Sequence, residues 1–352
     1  MLMEGVFAAI TTPFYPDERI YFRKLEANVA HYSRSLLAGL IVLGSTGEAV
    51  ALDDAESHDV LRAVVAAAAP EKLLIAGAGR ESVKGTVALA EAAAELSYDA
   101  VLVRPPSYYA ANLPAPAMLN YFRSVADRSP LPVILYNIPK CVPYEIPIEM
   151  VVELAHHPNI IAIKDSSGNV DRICAAVEAT RSAPKRTVPV THLFEAVTAR
   201  MLTAPKPESE ASSIPAGVLA AGAAFATAPP VAPPKTRSRE VGFQLLCGSA
   251  ETLLASLQAG AAGGILGFAA CAPQACQEIY LAWRDHDLAL AEEKQKRILA
   301  ANRRVVGDLG VAGIKYACDF NGYFGGRCRP PLLPLTADEK AEVEQLLAEI
   351  RN

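Results

Sequence analysis

A (β/α)₈ TIM barrel with a small C-terminal helical appendage is the fold this sequence predicts, an α/β architecture. Three observations predict it. Eight short apolar runs recur along the 352 residues, longer amphipathic segments separate most of them, and the runs lack the apolar–polar alternation of half-exposed strands. Unbroken apolar runs are what a parallel sheet covered on both faces requires. Eight such strands, most followed by a helix, fit a closed barrel better than an open sheet, and no GxGxxG follows the first run.

In order, the runs are Gly5–Ile10, Gly39–Leu43, Leu73–Ala76, Ala100–Val103, Val133–Tyr136, Ile160–Lys164, Phe243–Cys247 and Gly263–Phe268. The helical patterns between them include residues 53–69, where Asp53 or Asp54 can cap the first turn, and 81–97. Residues 1–185 therefore hold strands one to six, 241–272 hold strands seven and eight, and 273–352 form C-terminal helices. The stretch 186–240 breaks the rhythm. Its Pro, Ala and Ser content offers too little apolar area to offset ordering entropy, so it is expected to be mobile and passive, with 190–202 able to form one short surface helix.

Composition narrows the function. The net charge is −5 with no basic stripe, which argues against nucleic acid and anionic membrane surfaces as partners. Seven scattered cysteines without a CxxC pair or a Cys/His cluster suggest reduced thiols in a cytoplasmic setting and no structural metal. The N-terminus lacks the pattern of a signal peptide, and residues 216–226 are too short and too weakly apolar to span a bilayer.

Chemistry in a barrel of this kind sits where strands end. The tips read TTP (11–13), GSTGE (44–48), AGAG (76–79), RPPSYY (104–109), YNIP (136–139), KDSSG (164–168), CGSAE (247–251) and GFAA (267–270). Taken singly, each has a bland reading. Tyr136 could simply be packed, Glu48 could cap the next helix, and Lys164 could be a solvated strand end. Together, with one candidate per tip and a lone lysine central among them, they point to a catalytic site.

The ordered set GSTGE, PPSYY, YNIP and KDSSG, followed by GSAETLLASLQAGAAGGI (248–265), resembles the dihydrodipicolinate synthase/N-acetylneuraminate lyase family of pyruvate-dependent class I aldolases. The resemblance covers nearly the whole chain outside 186–240. It implies that Lys164 forms an imine with the ketone of a 2-oxo acid, that Tyr136 shuttles protons beside it, and that Thr46 and a second tyrosine serve as relay partners. It implies that Ser45, Thr46 and Gly47 hold the substrate carboxylate, with Ser166, Gly248 and Ile265 also beside the substrate. Tyr109 matches a tyrosine that the family lends across a dimer interface, which implies a homodimer or a homotetramer. No cofactor and no metal are implied.

The physics of these residue types agrees. A lysine with an ordinary pKa of about 10.4 is a poor nucleophile near neutrality, and desolvation can lower that value by several units. The iminium it forms withdraws electrons from the adjacent carbons and so stabilises the enamine left when a carbon–carbon bond breaks. A tyrosine hydroxyl is a weak base that needs hydrogen-bonded neighbours.

Dihydrodipicolinate-forming members carry an arginine two positions beyond the YNIP proline. Here Cys141 stands there, with Lys140 the nearest cation. The C-terminal half, including GIKYACDFNGYFGGRCRPPLLPL, looks most like 4-hydroxy-2-oxoglutarate aldolases, which implies cleavage to pyruvate and glyoxylate. Other 2-keto-3-deoxy acids remain alternative substrates, as do a dihydrodipicolinate synthase-like reaction, a metal-dependent aldolase and an inert barrel that only binds a 2-oxo acid.

Overall fold

The computed structural model describes residues 1–203 and 234–350. Ten strands lie among them: β1 (Gly5–Ala9), β2 (Gly39–Val42), β3 (Leu73–Gly77), β4 (Ala100–Val103), β5 (Val133–Asn137), β6 (Ile160–Asp165), β7 (Arg186–Thr191), β8 (Thr236–Val241), β9 (Gln244–Cys247) and β10 (Gly263–Leu266). Eight of these close into a barrel in the order β1–β10–β9–β6–β5–β4–β3–β2. Every neighbouring pair in it is parallel. Each of the eight apolar runs holds one barrel strand.

The strands read as continuous apolar runs because both of their faces are dry. Phe7, Ile41, Ile75, Leu102, Ile134, Leu246 and Ile265 fill the barrel interior. Their sequence neighbours Val6, Leu40, Leu74, Val101, Val133 and Leu245 pack outward in a second core beneath the helices. Capping fixes where those helices begin. Asp53 accepts the Glu56 N–H while the Glu56 side chain accepts the Asp53 N–H, closing a capping box at the start of Asp54–Ala67. Ser82 and Asn169 cap the helices Val83–Glu95 and Val170–Ala179 by accepting the N–H of Gly85 and of Arg172.

The segment expected to be mobile is structured at both ends. β7 and β8 pair antiparallel, from Arg186 opposite Val241 to Thr191 opposite Thr236. Val188, Val190 and Val241 pack on Leu2. Arg186 donates to the main-chain carbonyls of His157, Pro158 and Ile160, where β6 begins. Composition hid this ribbon because a few well-placed valines and one arginine suffice when the barrel floor supplies the other half of the core. The single short helix considered for 190–202 reduces to Ala199–Leu202, since Val190 and Thr191 are committed to the strand. Thr198 donates to the Pro70 carbonyl at 2.5 Å and Arg200 to that of Lys72. All these anchors lie at the N-terminal ends of the strands, opposite the tips. The expectation of disorder for 204–233 falls outside the described residues.

After the helix Pro273–Arg284 come Leu288–Asn302, a π-helical turn at Arg303–Asp308, Gly310–Phe320 and Ala337–Leu347. The last starts in a second capping box between Thr336 and Glu339. Gly310–Phe320, within the span expected to hold C-terminal helices, carries Lys315. Among the described residues no helix is long and apolar enough to cross a membrane.

Candidate active site

β5 and β6 run side by side with Tyr136 in register with Lys164 and Asn137 with Asp165. Paired residues of parallel neighbours face the same side, so the tyrosine and the lysine both enter the barrel mouth. Lys164 is only 5 % exposed, and its Nζ sits 4.1 Å from the centroid of the Tyr136 ring. Ammonium over a ring face is an attractive contact, and it fixes the amine beside the phenol.

A brace that sequence reasoning missed holds these two tips together. Asp165 accepts from Arg172 Nε at 2.7 Å, from Asn137 Nδ2 at 3.0 Å, and from the Ser167 N–H at 2.9 Å. Asn137 Oδ1 in turn accepts the Ile146 N–H, and Arg172 donates to the Ile146 carbonyl. The lysine's immediate neighbour is thus a satisfied anchor, not a second reactive group. The signal for it was the Asn169 cap that starts the next helix and turns Arg172 back toward β6. Only the strand pairing gives that signal meaning.

Ser45–Gly47 form one turn of 3₁₀ helix after β2. Two non-glycine residues in the left-handed region bracket it, Leu43 at φ 58° and Glu48 at φ 55°. Such backbone costs about 1–3 kcal/mol per residue and persists only where the surroundings enforce it. Glu48 supplies part of that enforcement. It is buried, pairs with the buried Lys315 ammonium, and accepts the Arg329 N–H at 2.8 Å. It does not act as the helix cap that its position suggested; Asp53 does. Lys315 also donates to the Arg327 carbonyl at 2.6 Å and lies 4.4 Å from the Phe14 ring centroid. Arg329 closes the clamp with a two-pronged contact to Glu56 at 2.6 and 2.7 Å. Burial pulls the Lys315 ammonium below the ordinary lysine range, against the opposing pull of Glu48.

The remaining candidates fall into place unevenly. Ser45 and Tyr136 line one cavity of about 40 Å³, together with Gly44, Gly77, Arg80 and Arg104. Thr46 Oγ1 faces Gly267, where an added Cβ would stand 3.4 Å from it. Gly47 is buried, and its carbonyl accepts from Thr12 Oγ1 at 2.8 Å. Ile265 is fully buried in the barrel interior, so its side chain is core. Tyr109 is 64 % exposed, edge-on to Tyr108, and does not line the cavity. Cys141 and Lys140 are exposed as well. Among the described residues, no three His, Cys, Asp or Glu side chains converge as metal ligands.

Gly248 has no room for a side chain. An added Cβ would lie 1.9 Å from Ser166 Oγ and 2.8 Å from the Asp165 carbonyl oxygen, which itself accepts the Gly248 N–H at 2.7 Å. Overpacking of this kind costs about 1–3 kcal/mol. Gly248→Ala is therefore expected to push the loop after Lys164 aside and lower kcat/KM by about tenfold or more. Steady-state kinetics checks this, and near-native rates would mean that Ser166 can move freely.

A model of the Dihydrodipicolinate synthetase family matches residues 2–185 and 235–350, so that β7 falls in the unmatched stretch and β8 within the match. A 4-hydroxy-tetrahydrodipicolinate synthase of Acidiphilium cryptum is 29 % identical over 343 residues, covering 97 % of this chain and 96 % of that protein. A protein of Emericella nidulans named probable mitochondrial 4-hydroxy-2-oxoglutarate aldolase is 35 % identical over 181 residues, which is 50 % of this chain and 59 % of the relative. Among solved structures, a prophage protein of E. coli K12 from the dihydrodipicolinic acid synthase family, in complex with pyruvate, superposes with a TM-score of 0.78. Its identity is 23 %, with 99 % of each chain covered.

Proposed function

This chain belongs to the dihydrodipicolinate synthetase family, and on that premise we propose that it is a Schiff-base aldolase cleaving 4-hydroxy-2-oxoglutarate to pyruvate and glyoxylate. The observation that carries the reading is the buried Lys164 amine lying over the Tyr136 ring at the mouth of the barrel.

The neutral amine adds to the C2 ketone, giving a carbinolamine that loses water to an iminium. Tyr136, directly or through hydroxyls such as that of Thr46, accepts the C4 hydroxyl proton. The C3–C4 bond then breaks, its electron pair flows toward the iminium nitrogen, and glyoxylate leaves. Protonation of the enamine at C3 and attack of water on the resulting imine release pyruvate and restore the amine. Ser45, Thr46 and the backbone at Gly47 would hold the C1 carboxylate through hydroxyl and N–H donors. Ser166, which Gly248 leaves room for, would meet the distal part of the substrate.

Cleavage is favoured over dihydrodipicolinate formation because Cys141 occupies the place of the arginine expected after YNIP. The aldolase-like C-terminal half and the fungal relative agree with this. The exposure of Tyr109 supports its use by a second copy of the chain, in a homodimer or a dimer of dimers. The test is glyoxylate release from 4-hydroxy-2-oxoglutarate, set against a panel of 2-keto-3-deoxy sugar acids and against pyruvate condensation. The first substrate is expected to give the highest kcat/KM, and a higher value for any other displaces it.

Tyr136→Phe separates two stages of this scheme. Loss of a positioned proton carrier typically costs about 10²–10⁴-fold in rate. kcat is expected to fall in that range, while borohydride reduction in the presence of pyruvate still adds mass to Lys164. An unchanged kcat would remove the phenol from the proton path.

A further inference from the structure

We propose that Arg80, backed by Arg104, forms a distal subsite for the second carboxylate of a dianionic 2-oxo acid. This rests on the imine-forming reading above and names the class of substrate that reading would take.

Both arginines line the cavity that Ser45 and Tyr136 also line, so they border the same space as the phenol that sits against Lys164. That cavity, about 40 Å³, is several times the ~10–15 Å³ that one water molecule needs. Room for a small polar group therefore exists in the space that the two arginines help to line.

The two cations are not equally engaged. Arg104 Nη2 is bound to Glu81 at 3.0 Å, and its Nη1 donates to the Pro105 carbonyl at 2.8 Å. Glu81 in turn accepts from the Ser107 and Tyr108 N–H groups, so Arg104 belongs to the lock on the loop after β4. Arg80 has weaker company. Its Nη2 donates to Ser57 Oγ at 3.1 Å, and among the described residues the carboxylate in ion-pair range is Asp54 at 3.7 Å, itself 90 % exposed. Burial lowers the Arg80 pKa, Asp54 opposes that, and the nearby Arg104 lowers it further.

Glu81 offsets the Arg104 charge, whereas the exposed acid at 3.7 Å offsets little of the Arg80 charge. An anion in the cavity offsets it directly. The planar guanidinium suits a carboxylate, which it can grip with two parallel N–H donors. The position after YNIP offers no such cation, because Cys141 is there and both Cys141 and Lys140 are exposed. A dianion needs a second cationic partner in a barrel mouth otherwise lined by hydroxyls and apolar groups, and Arg80 is placed to be it.

The experiment compares 4-hydroxy-2-oxoglutarate with 4-hydroxy-2-oxopentanoate, which has a methyl group in place of the distal carboxylate, in wild type, Arg80→Gln and Arg80→Lys. Wild type is expected to prefer the dianion. Arg80→Gln is expected to cut that preference about 10²-fold, mostly through KM, with Arg80→Lys retaining part of it. The subsite is overturned if wild type shows no preference, or if Arg80→Gln slows both substrates alike, as it would were Arg80 only a tether to Asp54 and Ser57. Borohydride trapping of pyruvate on wild type separates the two levels. Trapping with an unaltered preference in Arg80→Gln fails the subsite alone, whereas no trapping fails the imine reading and the subsite with it.

Discussion

Lys164→Ala is expected to abolish turnover and pyruvate trapping together, with kcat falling at least about 10³-fold. The size of the effect follows from what the amine does. It is the atom that bonds to the substrate, so its removal deletes the covalent route instead of weakening one contact. Tyr136, Ser45 and Thr46 would remain, but none can form an imine. The fold should tolerate the change. Lys164 is buried in a barrel interior of apolar side chains, and its terminal contact is the face of Tyr136. Truncation removes a buried polar group along with its packing, two effects of opposite sign on stability. A melting temperature close to wild type alongside lost turnover is the expected pair of results. Lys164→Met, which keeps much of the length without the amine, should be equally inactive. Substantial turnover in either variant would falsify the proposed mechanism at its root.

How much of this was legible in the sequence depends on how local each signal was. The barrel strands were readable because burial on both faces writes itself into four or five consecutive residues. Leu73–Gly77 and Ile160–Asp165 show it plainly. Lys164 was readable because a charge ending such a run is unusual within a window of six residues. The β7–β8 ribbon was not, since neither strand is apolar enough alone. Its stability comes from Leu2 and from carbonyls at the floor of the barrel. The role of Glu48 was hidden for the same reason. In the local sequence it sits where a helix cap could stand, while its true partners, Lys315 and Arg329, lie at the other end of the chain. Arg80 passed unnoticed because its meaning depends on Arg104, brought beside it only by the pairing of β3 with β4.

The Glu48–Lys315 pair carries the second large effect. Both side chains are almost fully buried, and removing one partner from a buried ion pair leaves an uncompensated charge at a cost of about 3–5 kcal/mol. Glu48→Ala or Lys315→Ala is therefore expected to lower the melting temperature on the order of 10 °C. The two variants should differ in how they respond to pH. In Glu48→Ala the stranded group is Lys315, whose pKa burial already depresses. A lysine with a folded-state pKa below its unfolded value of about 10.4 binds fewer protons when folded, so stability rises with pH between those two values. Thermal melts of Glu48→Ala between neutrality and pH 10 should accordingly move upward relative to wild type. The double change Glu48→Met with Lys315→Met separates stability from function. Matched apolar replacement of a buried pair is often neutral or stabilising, so most of the lost melting temperature should return. Activity should not return with it. Glu48 also holds the Arg329 N–H and keeps its own backbone left-handed beside Ser45–Gly47, and methionine offers no acceptor for that donor. A raised KM in a stable double variant is the expected signature of a carboxylate-binding turn that has lost its clamp. Wild-type KM in that protein would reduce the pair to a structural contact alone.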